Sequence, residues 1–181
     1  MRRPRALFFR LALLGLLLLA GGGVATAQPS PSLDTTPHPA HVHQGTCAQL
    51  NPNPQYQLNP VTQPKSATTG GKPPTPPPAQ GVLTAPPVLY SDTQINVKLA
   101  VLLSSAHAIN IYQSAAQIQT AIGCGDLGGQ LINDRLLVAL QPSRGSGYSG
   151  VAVLQKQGDK TEVTLYLLPP SSPAPAATPT S

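Results

Sequence analysis

The sequence predicts an all-β fold, an antiparallel sandwich or barrel, on three observations. Apolar and polar residues alternate at a period of two in several short runs, glycine-rich turns separate the runs, and a single short stretch has a helical pattern. In chain order, Ile95, Val97, Leu99 and Val101 alternate with Gln94, Asn96, Lys98 and Ala100. After the Ser104-Ser105 turn, His107, Ile109 and Ile111 alternate with Ala108, Asn110 and Tyr112. Leu136, Val138 and Leu140 make another short strand. The turn at 142–147 (PSRGSG) leads into 148–155 (YSGVAVLQ), and Gln157-Gly158-Asp159 turns the chain into 160–168 (KTEVTLYLL). There Val163, Leu165 and Leu167 stand opposite Glu162, Thr164 and Tyr166. The helical exception is 114–122 (SAAQIQTAI).

Residues 1–27 read as a secretory signal peptide. Arg2, Arg3, Arg5 and Arg10 form a basic start, Leu11 to Ala20 an apolar run, and Ala25-Thr26-Ala27 a small-x-small cleavage site. The apolar run is short for a membrane span, and none follows it. No cysteine stands at the cleavage site to carry a lipid anchor. The expected location is therefore secreted, periplasmic or at the cell envelope.

Proline then sets the domain boundaries. Residues 28–37 read as a disordered leader, 38–168 as one β-domain interrupted by a Pro-rich loop at 63–81, and 169–181 as a disordered Pro-rich tail. Five prolines between Pro73 and Pro78 remove the donors a strand ladder needs, so that loop is expected to run extended.

The whole chain carries 11 Lys+Arg and 6 Asp+Glu, but four of those arginines lie in the signal. Seven basic against six acidic residues leave the mature chain at +1. The basicity belongs to export, and no nucleic-acid partner is expected. Cys47 and Cys124 form an even pair in an exported chain, which predicts one disulfide.

Three of the four histidines, His38, His41 and His43, fall within PHPAHVHQGTC. On a strand, His41-Val42-His43 puts both imidazoles on one face and Val42 on the other. Two imidazoles on one face are half of a metal site, and neutral imidazole suits copper or zinc. By the same sequence reading, His107 packs or hydrogen-bonds at the start of its strand.

The order of features resembles the second half of a copper/zinc superoxide dismutase. His41-Val42-His43 is followed by Cys47, then Tyr56-Gln57-Leu58-Asn59-Pro60, then Ile109-Asn110-Ile111-Tyr112, and Ala121-Ile122-Gly123-Cys124-Gly125-Asp126-Leu127 ends the match. The chain also resembles small exported bacterial domains of chordin (CHRD) type. The resemblance implies an antiparallel Greek-key β-sandwich in which 130–168 supplies the missing hairpins in a permuted order. It also implies copper as cofactor, with His41 and His43 as ligands and Tyr112 or His38 as a third. Several positions depart from the family pattern. Tyr112 stands at the third copper histidine, Tyr56 or Gln57 at a zinc histidine, and Ala121 at the arginine that guides the anion. These departures argue against turnover and leave non-catalytic copper binding first. A structural or partner-binding envelope domain is the alternative, and residual dismutation comes third.

Overall fold

Leucine, valine and isoleucine at alternate positions give each strand one face that water disfavours, and sheet formation brings those faces together. The computed structural model describes residues 33–64 and 87–170. The expected signal peptide at 1–27, residues 28–32 of the expected leader, most of the Pro-rich loop, and the tail from 171 lie outside the described residues.

Among the described residues the strands are β1 His38–Thr46, β2 Gln49–Val61, β3 Leu89–Ile95, β4 His107–Tyr112, β5 Ala121–Asp126, β6 Leu131–Ile132, β7 Arg135–Pro142, β8 Ser149–Gln157 and β9 Lys160–Leu168. One helical turn, α1 Leu99–Leu102, follows β3. All the pairings are antiparallel, and the sheet runs β2-β1-β4-β5-β7-β8-β9-β3, with β6 on β7. A bridge between Thr62 and Tyr90 links the two ends of that order, so the sheet nearly closes on itself. The all-β antiparallel prediction holds.

Inside the closed sheet, Ile109 and Ile111 of β4 meet Leu136 and Leu140 of β7 and Leu165 and Leu167 of β9 in one cluster. The runs read from 107–112, 136–140, 148–155 and 160–168 all form strands with the predicted residues inward. The C-terminal hairpins complete the sheet by joining β7 to β5 and β9 to β3.

Two local expectations are corrected. The run at 94–101 is not a strand: β3 ends at Ile95, and Leu99–Leu102 form a helical turn. Ile95, Leu99 and Leu102 are buried whereas Val101 is half exposed, a spacing of four and three that a period-two reading had absorbed. The stretch 114–122 holds a single 3-10 turn, Ala115–Gln117, in which the Gln117 N–H donates to the Ser114 hydroxyl. From Ala121 the chain is strand, because β5 has β4 to pair with on one side. Among the described residues no helix is long and apolar enough to cross a membrane.

Candidate metal-binding groove

A sheet that faces a core on one side and water on the other alternates buried and exposed residues. β7 and β9 do so, but all six residues of β4 are buried. Ala108, Asn110 and Tyr112 point away from the core and are nevertheless covered. His43, bonded to Tyr112 and to the Asn51 carbonyl, ties this face to the start of β2. His43 pairs with Pro54 and Gly45 with Leu50, so three residues, 51–53, bulge out opposite the single residue Gln44. The sequence reading assigned no strand to 49–61, where Pro52, Pro54 and Pro60 argue against one. β2 tolerates them because it ladders with β1 and meets β3 through one bridge.

The cysteines fasten this hairpin. Cys47 and Cys124 are disulfide-bonded as predicted, with Cα atoms 5.8 Å apart, and the Cys47 N–H donates to Asp126 Oδ1 at 2.6 Å. Between the fastened hairpin, β5 and the end of β7 lies an open groove of about 960 Å³. His41, His43, Asn110, Tyr112 and Arg144 are among the residues that line it.

His41 and His43 project into this groove from the same side of β1, as their spacing predicted. Their ring centroids are 5.8 Å apart, and that of Tyr112 lies 5.3 Å from His41 and 6.3 Å from His43. His43 is buried and fully bonded: its Nδ1–H donates to the Asn51 carbonyl at 2.7 Å, and its Nε2 accepts from the Tyr112 hydroxyl at 2.9 Å. The carbonyl can only accept, which fixes the tautomer. His41 is half-buried. Burial, then the neighbouring His43, hold its pKa below the ordinary 6.5.

His38 belongs elsewhere. Its Nδ1 donates to the carbonyls of Gln113 at 2.8 Å and Tyr112 at 3.2 Å, and its Nε2 lies 3.0 Å from Asp34. With both nitrogens engaged outside the groove, His38 is not brought into the donor set with His41 and His43. Asp34, which the sequence placed in the leader, also accepts from the Tyr148 hydroxyl. Burial works to raise the Asp34 pKa, but the bonds from Tyr148, His38 and the Thr36 N–H outweigh it and hold the carboxyl below 3.8. A carboxylate whose folded pKa lies below its unfolded value stabilises above the unfolded value and loses that contribution as pH falls through the folded one. Stability is therefore expected to drop as pH falls below 3.8, and Asp34→Asn to flatten that drop, as read by thermal melts across the acid range.

His107 stands, as expected, at its strand start, bonded to the Leu102 carbonyl and Gln55. Asn110 was missed as a groove residue. It pairs across the ladder with His41 on one side and Cys124 on the other, and its Oδ1 is buried with no hydrogen-bond partner among the described residues. The signal was available, since a period of two puts Asn110 on the same face as Tyr112.

Among the described residues no group of three or more His, Cys, Asp and Glu side chains is gathered to hold a metal ion. The aromatic side chain beside the two imidazoles is the Tyr112 phenol. Comparison of the chain with family models, curated proteins and solved structures finds no match to any of them.

Proposed function

We propose that this chain is an exported β-domain that binds a divalent transition-metal ion, copper first, through His41 and His43 with Tyr112 as third donor, and that it does so without turnover. The observation that carries the reading is the tautomer of His43. Ligating histidines characteristically donate their second ring N–H to a carbonyl or carboxylate, and the bond to Asn51 makes Nε2 the basic nitrogen of His43, whose lone pair accepts from the Tyr112 hydroxyl and would pass to a metal as that hydroxyl turns or loses its proton. The lowered pKa of His41 keeps that ring in the neutral, ligating form at neutral pH.

Bound copper would supply a Lewis-acidic, redox-capable centre at the groove floor. Around it the chain's own residues orient and shield. Asn51 aims His43, Tyr112 closes the far side, and the disulfide fastens the hairpin that keeps water off His43. Catalytic dismutation has less support, because Ala121 stands where the resemblance calls for arginine and a phenol stands for the third imidazole. The disulfide and residues 1–27 favour a compartment outside the cytoplasm.

A second reading has one observation in its favour. The Tyr112 hydroxyl already satisfies His43 Nε2, so the cluster can serve as a closed polar network in a structural or partner-binding envelope domain. Calorimetric titration of the mature chain with Cu(II) separates the two. The metal reading expects one site of micromolar or tighter affinity, weakened ~100-fold or more in His41→Ala/His43→Ala. An absence of binding heat in the unmutated chain leaves the structural reading.

A further inference from the structure

We propose that Asp34 is a positioning residue for the Tyr112–His43 pair, acting through His38. The inference deepens the metal reading of the groove, but its decisive test is metal-free.

The ladder to β1 does not reach Tyr112. The β1–β4 pairing runs from Gln44↔His107 to Ala40↔Ile111 and stops one residue short of Tyr112. On the other side, the β4–β5 register shifts between Ile111 and Tyr112. Tyr112 thus sits beyond the last rung to β1 and on the irregular step toward β5. An O–H···N bond weakens steeply when its angle opens, so a phenol on a loose strand end would not keep its bond to His43 Nε2.

His38 stands in for the missing rung. Its Nδ1–H donates to the carbonyls of Tyr112 and Gln113, next to the register position of Pro39, which has no N–H to offer. The ring is held in turn. Asp34 faces its Nε2 at 3.0 Å, and the Tyr148 ring lies edge-on 5.3 Å away at 65°. Asp34 is itself fixed from three further directions: the Tyr148 hydroxyl and the Thr36 N–H donate to its carboxylate, and the Gln63 amide donates to its carbonyl. An unbroken run of contacts therefore leads from a residue ahead of the first strand to a hydroxyl in the groove. It passes through the carbonyl of Tyr112 itself.

Side-chain nitrogen NMR of the metal-free mature chain tests this, since the ring-nitrogen shifts of His43 report whether Nε2 is a bonded acceptor. The unmutated protein is expected to show His43 as a single Nδ1–H tautomer. Asp34→Ala is expected to move the His43 Nε2 resonance from that of a hydrogen-bonded acceptor toward that of an unbonded one, with Nδ1–H still held by Asn51, in a chain whose amide spectrum stays dispersed. Asp34→Asn keeps an oxygen for the His38 N–H and is expected to move it less. Tyr148→Phe removes one support of Asp34 and is expected to move it in the same direction. Should Asp34→Ala not fold, the two milder variants decide alone. A His43 spectrum unchanged in every folded variant overturns the proposal, because a merely structural Asp34 would lower the melting temperature without touching the Nε2 resonance. Loading with Cu(II) distinguishes the two claims. An unmutated chain that binds no copper while Asp34→Ala still shifts His43 overturns the metal reading and supports the positioning role.

Discussion

Cys47→Ser/Cys124→Ser is expected to lower unfolding free energy by about 4 kcal/mol, a large share of the roughly 5–15 kcal/mol that a domain of this kind possesses. The bond closes a loop of 77 residues in sequence, so its loss returns a great deal of freedom to the unfolded chain. The folded state loses something too. Cys47 sits at the tip of the β1–β2 hairpin, and Cys124 in β5 pairs with Asn110 on the groove floor. Cutting that tie leaves the hairpin attached to β5 through the Cys47–Asp126 hydrogen bond, which at an exposed position is worth about 1 kcal/mol. His43 depends on the hairpin for its Asn51 partner, so copper affinity is expected to fall together with stability. Urea unfolding of the double variant, beside the reduced unmutated chain, measures the first effect, and Cu(II) titration below the unfolding midpoint measures the second. A stability change below about 1 kcal/mol would show that the fold does not depend on this cross-link.

How much of this could be read from the chain differs from element to element, for physical reasons. β7, β8 and β9 were legible because each has one face in the core and one in water, which writes a period of two into the sequence. β4 was legible from His107, Ile109 and Ile111, although its outer residues are buried as well. The disulfide followed from a count of two cysteines in a chain whose first 27 residues read as an export signal. β2 was not legible, since it is a proline-bearing strand recruited by its neighbour rather than by any pattern of its own. The His41–His43 pair followed from parity, and the same parity should have excluded His38. An odd separation sets His38 among the inward residues Ala40 and Val42, away from the groove. The fixing of His43 by a main-chain carbonyl could not be foreseen, because an oxygen carried by every residue leaves no mark on the sequence. It depends on the bulge at 51–53, which is a matter of register.

That register turns on one residue, and Gly45→Ala is the second large expected effect. Gly45 has φ +102, in the left-handed region that costs a residue bearing Cβ about 1–2 kcal/mol. A Cβ there would also overlap the carbonyl oxygen of Gln49 and press on Leu50 Cα. Both are backbone atoms of the opposing strand and cannot turn aside. Overpacking of this kind costs a further ~1–3 kcal/mol, so a total near 3 kcal/mol is expected. The hairpin has no cheap way to yield, because the Gly45 N–H is bonded to the Ala106 carbonyl at 2.8 Å on the other side. Relief must come from β2 moving outward, which draws the Asn51 carbonyl from His43 Nδ1. A histidine without its second-sphere acceptor samples both tautomers, and loss of such a partner typically weakens metal binding ~10–100-fold. Gly45→Ala is therefore expected to lower the melting temperature and, where still folded, to weaken Cu(II) binding at least tenfold without altering any ligand. A variant that melts with the unmutated chain would mean that the hairpin tip relaxes freely. A variant that loses stability but keeps full copper affinity would mean that the bulge covers His43 without aiming it.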